Sequence, residues 1–93
     1  MVAERRSQMQ IYVDILRLIQ RKGGVAKPTH ILYGANLSHA RLNKHLGLLL
    51  DRQFVMQDIR SGHMVYALTP RGSQFIREFK KIEELSNAFG IPM

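Results

Sequence analysis

A polar cluster follows a helix-start signal in the middle of the chain. Ser38 is a favourable N-cap residue, and Arg41, Asn43 and Lys44 lie within the two turns that follow it. Arginine and lysine bind guanine edges and phosphate oxygens, and asparagine matches the edge of adenine. These residue types in this pattern predict a surface that binds a polyanion and carries out no covalent chemistry.

Arg41 stands where a helix optimised only for stability would carry an acid. A Glu or Gln three residues after Ser38 would complete a capping box. A cation in the first turn is instead disfavoured by the helix macrodipole, by up to about 1 kcal/mol. An anionic partner is a simple explanation for this departure, and a solvated charged face without a partner is the alternative.

The segment around this cluster has one apolar face and one polar face. Leu42, Leu46 and Leu49 recur at the helical period and form its predicted buried centre, with His45 close to it. The opposite, outer face carries small and polar residues, namely Ala40, Arg41, Asn43, Lys44, Gly47 and Asp51. The pattern predicts a helix from His39 to about Arg52.

The charge of the whole chain agrees with a polyanion partner. Fourteen Lys and Arg against seven Asp and Glu give a net charge of +7 over 93 residues, enough chain for one domain. Residues 1–50 hold eight basic and two acidic residues. Positive charge concentrated on one half is expected of a nucleic-acid-binding surface, although a basic protein without such a partner is the alternative.

Several classes of site find no support. The chain has no cysteine, which excludes disulfides, thiol catalysis and thiolate zinc sites. The four histidines fit no standard pair of metal ligands on one helix, so we predict no metal and no cofactor, and we interpret His45 as a packing residue. No phosphate loop, nucleophile elbow or paired carboxylates are present, so we predict no enzymatic activity.

The sequence also predicts no membrane partner. No apolar run approaches the roughly 20 residues that span a bilayer, and the first residues do not form a secretory signal. We therefore expect a cytoplasmic protein, associated with the nucleoid if its partner is DNA.

The remaining elements frame the polar cluster. Periodic apolar residues predict a first helix from about Glu4 to Lys22, and Pro28 starts a second that ends near Ala35. Two apolar runs around Gly62 predict a β-hairpin over about residues 54–68, and Thr69 caps a last helix that ends near Asn87. Val25 to Lys27 is too short to classify. Three tyrosines in apolar patterns are expected in the core: Tyr12, Tyr33 and Tyr66.

This order is that of a mainly α fold with a small β-hairpin, a winged helix-turn-helix with an additional C-terminal helix. We assign residues 1–72 to the DNA-binding domain and 73–93 to the C-terminal helix. The recognition helix would be about 38–52 and would enter the major groove. The wing would be about 54–68 and would lie on the backbone or in the minor groove.

Three short motifs resemble those of small archaeal winged-helix proteins. They are Lys-Pro-Thr at 27–29, Asn-Leu-Ser at 36–38 and Tyr-x-Leu-Thr-x-x-Gly at 66–72. The family includes transcriptional regulators and the roughly ten-kilodalton basic DNA-binding proteins of Sulfolobus. The resemblance implies double-stranded DNA as partner and a homodimer formed through the C-terminal helix, which is an antiparallel coiled coil in the Sulfolobus chromatin proteins.

The apolar seam of the last helix is short, because Ser86 follows Phe75, Phe79 and Ile82 at the next seam position. We therefore expect a compact dimer contact made together with the first helix. The predicted dimer residues are Ile11, Leu18, Phe75, Phe79 and Ile82.

Our interpretation is a dimeric transcriptional regulator that binds double-stranded DNA sequence-selectively. The alternatives are a non-specific architectural chromatin protein and a winged-helix protein–protein adaptor. Arg41 and Asn43 are candidates for base edges, and Lys44 for a base or a phosphate. Arg5 and Arg6 would approach the flanking backbone. The remaining predicted contacts are at helix starts and the wing tip: Lys27, Thr29, Ser38, His39, Arg60, Ser61 and His63.

Overall fold

The predicted helices and hairpin are present, joined by one short extra strand. The computed structural model describes residues 7–92, and the predicted start at Glu4 and the pair Arg5 and Arg6 lie outside them. The elements are α1 (Gln8–Arg21), β1 (Val25–Ala26), α2 (Pro28–Gly34), α3 (His39–Asp51), β2 (Val55–Arg60), β3 (His63–Leu68) and α4 (Pro70–Ala88). The predicted α+β winged helix-turn-helix with an additional C-terminal helix is confirmed.

Helix α1 begins later than predicted because Ser7 caps it. The Ser7 hydroxyl accepts a hydrogen bond from the Gln10 backbone N–H at 3.1 Å, and the Gln10 side chain accepts one from the Ser7 N–H. This reciprocal capping box fixes the start at Gln8. The helix then buries Ile15, Leu16 and Ile19 completely at the centre of the core.

The corner between α2 and α3 is built by two residues with different roles. Asn36, with φ of 56°, takes the left-handed conformation that ends α2, and asparagine tolerates this conformation better than most residues. Gly34 is still helical, and a Cβ there would lie 2.7 Å from Leu18 Cδ1. The apolar pattern is therefore interrupted at Gly34 because α1 approaches α2 closely there. The chain turns two residues later, at Asn36.

The three strands form one antiparallel sheet in the order β1-β3-β2. Strand β1 pairs Val25 with Ala67, while the β2–β3 hairpin pairs Arg60 with His63 beside its tip. Ser61 and Gly62 form the tip, and both have positive φ, as the tight turn of a two-residue hairpin requires. The hairpin is the wing of the fold.

Two predictions about core aromatic residues are confirmed and one is wrong. Tyr66 is buried, and Tyr12 packs against the core with its ring edge-on to His45 at 5.2 Å. His45 is buried in α3, as expected of a packing residue. Tyr33 is 78% exposed, because Ile31 and Leu32 alone form the buried face of the short helix α2.

The first turn of α4 holds the end of α3. The Thr69 hydroxyl donates to the Gln53 carbonyl at 2.6 Å, and Arg71 Nε donates to the Arg52 carbonyl at 2.9 Å. The Arg71 guanidinium also lies 5.4 Å from the centre of the Phe54 ring. These contacts satisfy carbonyl groups that the helix end leaves without partners, so α3, the start of β2 and α4 are fixed together.

Helix α4 also packs along α1. Arg17 forms a two-pronged ion pair with Glu83, with Nη1 donating to Oε2 at 3.1 Å and Nη2 to Oε1 at 2.5 Å. The hydrogen bonds from Arg17 hold the pKa of Glu83 below the usual range of a carboxyl group. The Arg17 guanidinium lies 5.8 Å from the centre of the Phe79 ring. The predicted contact between the first and last helices therefore exists within a single chain.

This packing revises the predicted dimer residues. Ile11, Leu18 and Phe79 are buried within the chain and Phe75 packs against its core, so they have little area left for a partner. Ile82 is exposed, and it is followed along the chain by other exposed apolar residues, Leu85, Phe89 and Ile91.

The contact between α4 and the end of α3 requires a glycine at position 72. A Cβ there would lie 2.2 Å from the Phe54 carbonyl oxygen and 2.8 Å from Leu68 Cδ1. We expect Gly72→Ala to lower the free energy of unfolding by about 3 kcal/mol, because backbone must move to admit the methyl group. Urea denaturation followed by circular dichroism measures this loss.

Gly47→Ala is the matched control, because a Cβ at Gly47 has no neighbour within 4 Å in the described part of the chain. This change in the interior of α3 should raise the free energy of unfolding by about 0.5–1 kcal/mol. Equal unfolding midpoints for the two variants would show that the close approach at Gly72 does not matter.

Candidate nucleic-acid interface

Every predicted DNA-contact residue that the structure describes is exposed. They come from the start of α2, from α3 with its cap and from the wing tip: Lys27, Thr29, Ser38, His39, Arg41, Asn43, Lys44, Arg60, Ser61 and His63. None of them is used in the core, so each is accessible to a partner. Their individual roles in DNA binding stay predictions.

The outer face of α3 has the predicted composition. Leu42, Leu46 and Leu49 are buried, while Arg41, Asn43, Lys44 and Gly47 are exposed on the other side. The Ser38 hydroxyl accepts a hydrogen bond from the Arg41 backbone N–H at 3.2 Å, which confirms its role as N-cap. Hydrophobic burial therefore fixes the rotation of α3 and turns its polar side chains outward.

Some basic residues in the described range form ion pairs, and others, among them the two on α3, do not. Arg17, Arg52, Arg60 and Lys81 each form an ion pair with a carboxylate. Within residues 7–92, neither Arg41 nor Lys44 forms one. Their positive charge is left uncompensated beside the positive end of the helix macrodipole, which favours an anion at this face.

A notch of about 150 Å³ separates the recognition helix from the wing. Thr29 of α2 and His39 and Asn43 of α3 lie on its polar side, and Met64 and Tyr66 of β3 on its other side. Pro28, Leu32, Leu42 and Leu46 complete the lining. The fold thus brings together predicted contact residues from α2 and α3 and adds two residues of the wing that the sequence had not indicated.

The wing tip is less strongly charged than its sequence suggests. Arg60 Nε donates to Asp58 at 2.9 Å. This hydrogen bond, with a second from the Ile59 backbone N–H, lowers the pKa of Asp58 below its usual range. Asp58 therefore offsets part of the charge of Arg60, and His63 is the residue directly opposite Arg60 on β3.

Ile59 and Met64 are the residues that the sequence analysis missed. Both were assigned to apolar strands, yet Ile59 is 63% and Met64 37% exposed. The position of Ile59 and Met64 in the hairpin could have indicated their exposure. They form the cross-strand pair next to the pair at the tip, Arg60 and His63.

Two further findings concern the described residues alone. Between residues 7 and 92, no group of three or more histidine and acidic side chains could hold a metal ion. In the same range, no helix is both long enough and apolar enough to cross a membrane.

The comparison with other sequences finds an archaeal relative. An uncharacterized protein of Methanocaldococcus jannaschii is 36% identical over 81 residues, which are 87% of this chain and 34% of that protein. The chain thus spans about a third of the length of this relative.

The comparison with solved structures finds winged-helix proteins. Sso10a-2, a DNA-binding protein from Sulfolobus solfataricus, is 26% identical with a TM-score of 0.71, covering 91% of this chain and 90% of its own. A MarR family transcriptional regulator from Silicibacter pomeroyi is 12% identical with a TM-score of 0.74, covering 86% of this chain and 56% of its own. The second likeness is one of fold alone.

The family assignment rests on nearly the whole chain. Residues 5–87 match the sequence profile described as winged helix-turn-helix. The match includes α2, the corner, α3 and the wing, the elements that carry the candidate interface. The chain therefore belongs to the winged helix-turn-helix family.

Proposed function

We propose that the protein is a dimeric transcriptional regulator that binds double-stranded DNA sequence-selectively. Helix α3 of each subunit enters the major groove, and the starts of α2 and α3 and the wing contact the backbone. The observation that carries the proposal is the outer face of α3, where exposed Arg41 and Lys44 lack acidic partners in the described structure. If double-stranded DNA is the partner, the protein would be associated with the nucleoid in the cytoplasm.

Sequence selectivity is proposed from the side chains of the same face. Arg41 matches the two acceptors of guanine in the major groove, and Asn43 the donor and acceptor of adenine. Both are held on a rigid helix whose rotation is fixed by Leu42, Leu46 and Leu49. Lys27, Thr29, Ser38 and His39 would position the protein by phosphate contacts, which carry no sequence information.

A non-specific architectural chromatin protein is the second candidate. The observations that favour it are the net charge of +7 and the similarity to Sso10a-2, whose name describes it only as DNA-binding. Backbone contacts and charge alone suffice for that role.

A protein–protein adaptor is disfavoured by the polarity of α3. The centre of a protein interface is depleted in charged residues and rich in aromatic ones. The outer face of α3 instead carries exposed Arg41, Asn43 and Lys44.

We now propose a dimer contact near the end of α4, in place of the contact predicted from the sequence. Ile82, Leu85, Phe89 and Ile91 are exposed and lie close together around one shallow depression. An exposed apolar cluster of this kind is typical of an interaction site. We therefore propose that residues 73–93 serve both the core, through Ile76 and Phe79, and the dimer, through this cluster.

Binding to random-sequence duplex DNA across a salt series tests the proposal directly. Because each neutralised phosphate releases condensed counterions, about five phosphate contacts should give a slope near −4 to −5 in a plot of log binding constant against log salt. Fluorescence anisotropy with a labelled duplex measures the slope. Absence of binding at low salt would exclude both DNA-binding candidates.

Variants of α3 and the wing separate base readout from backbone contact. We expect Arg41→Ala and Asn43→Ala to reduce discrimination between the preferred site and a scrambled duplex by about tenfold, since a lost base contact is worth about 1–3 kcal/mol. Arg60→Ala should weaken both duplexes to a similar, smaller extent because Asp58 already offsets its charge. Arg77→Ala, which removes an exposed arginine of α4, is the matched control. Equal losses on both duplexes for every variant would favour the chromatin alternative.

The position of the dimer contact is tested by a charge in the C-terminal cluster. Leu85→Glu should convert a dimer into a monomer in sedimentation analysis, because the buried carboxylate would have no partner. Met9→Glu is the control, since Met9 is an exposed apolar residue of α1 outside the cluster. A Leu85→Glu protein that keeps the dimer mass would place the contact elsewhere.

A further inference from the structure

The wing carries an exposed apolar pair beside the notch that separates it from α3. Ile59 and Met64 are directly opposed on β2 and β3, 63% and 37% exposed. Side chains in such a cross-strand pair lie about 5 Å apart, so the two form one continuous apolar patch. The pair sits immediately before Arg60 and His63 and the turn at the tip.

The patch faces the recognition helix side of the molecule. Residues two apart on a strand share a face, so Met64 lies on the same face as Tyr66. Met64 and Tyr66 both line the notch whose other wall contains His39 and Asn43. A duplex seated on α3 would therefore meet the patch on its flank.

The surroundings of the patch indicate what covers it. Next along the strands are Arg60 and His63, whose side chains lie on the opposite face of the hairpin, and across the notch are His39 and Asn43, two predicted DNA-contact residues of α3. Because the patch is continuous with this polar face of α3, a duplex bound to α3 would reach it, whereas an apolar partner protein would have to bury His39 and Asn43 as well. Among duplex surfaces, the minor groove accepts isoleucine and methionine as wedges between base pairs.

We propose that Ile59 and Met64 form an apolar wedge that enters the minor groove beside the site of α3, unstacks one base step and bends the duplex. This proposal rests on the proposed DNA binding, and it adds that the bound duplex is bent. Unstacking is least costly at flexible pyrimidine–purine steps. The wedge therefore adds a preference for TA or CA steps flanking the bases that α3 contacts.

The test compares bending and binding in one titration. A duplex of about 30 base pairs, labelled at both ends, reports bending by energy transfer and binding by anisotropy. The wild-type protein should bring the ends together. The Ile59→Ser, Met64→Ser double variant should still bind, about tenfold more weakly, and leave the duplex straight. Ile59→Ser alone, a change at a more exposed position, should reduce the bend and retain the fold.

Met56→Ser is the matched control. Met56 is 53% exposed on the same strand as Ile59 but on the opposite face, where it lines a different groove with Leu50 and Arg71. This variant should bend DNA as the wild type does. A duplex that stays straight with the wild type bound, or that bends equally with the double variant, overturns the wedge and leaves DNA binding intact.

Two other outcomes also decide the proposal. A change in sedimentation mass of the double variant without DNA would assign the patch to a protein contact and overturn the wedge. Absence of any binding by the wild type at low salt would overturn the proposed function together with the wedge.

Discussion

The contact between the first turn of α4 and the end of α3 fixes the geometry of the whole interface. The backbone at Gly72 lies so close to the Phe54 carbonyl that no side chain fits between them. Thr69 and Arg71 then bind the carbonyl groups of Gln53 and Arg52 from the same turn. The recognition helix ends here, β2 begins here and β3 has just ended, so one junction sets the angle between α3, the wing and α4.

The distribution of charge follows from that geometry. Glu83 on α4 is placed to receive Arg17 of α1, and this pair holds α4 along α1. Other acids pair with Arg52, Arg60 and Lys81, so much of the negative charge is neutralised by basic residues of the same chain. Arg41 and Lys44 face outward without such a partner in the described structure. These two positive charges on α3 therefore remain available to an anionic partner.

Local signals predicted the elements well, and long-range packing explains where the predictions failed. Ser38, Pro28 and Thr69 act through their own backbone neighbours, and the helices begin where these residues indicated. Strand β1 has two residues and exists only because β3 pairs with it. The burial of Leu18 depends on how closely α1 approaches α2, which Gly34 permits, and Tyr33 is exposed because Ile31 and Leu32 form the buried face of α2. The surface of α3 was predictable from its period, whereas the exposure of Ile59 required the register of the hairpin.

Two departures from helix stability coincide on the outer face of α3. Arg41 occupies the first turn, where the macrodipole disfavours a cation. Gly47 lies in the helix interior, where glycine costs roughly 0.5–1 kcal/mol relative to alanine, and no neighbour in the described chain would obstruct a Cβ there. Gly72 and Gly34 have packing reasons within the chain, but Gly47 has none. A residue without a side chain on an exposed, cationic helix face leaves room for the close approach of another molecule's backbone. The same partner that would stabilise Arg41 therefore also accounts for Gly47, and a duplex in contact with α3 meets both requirements at once.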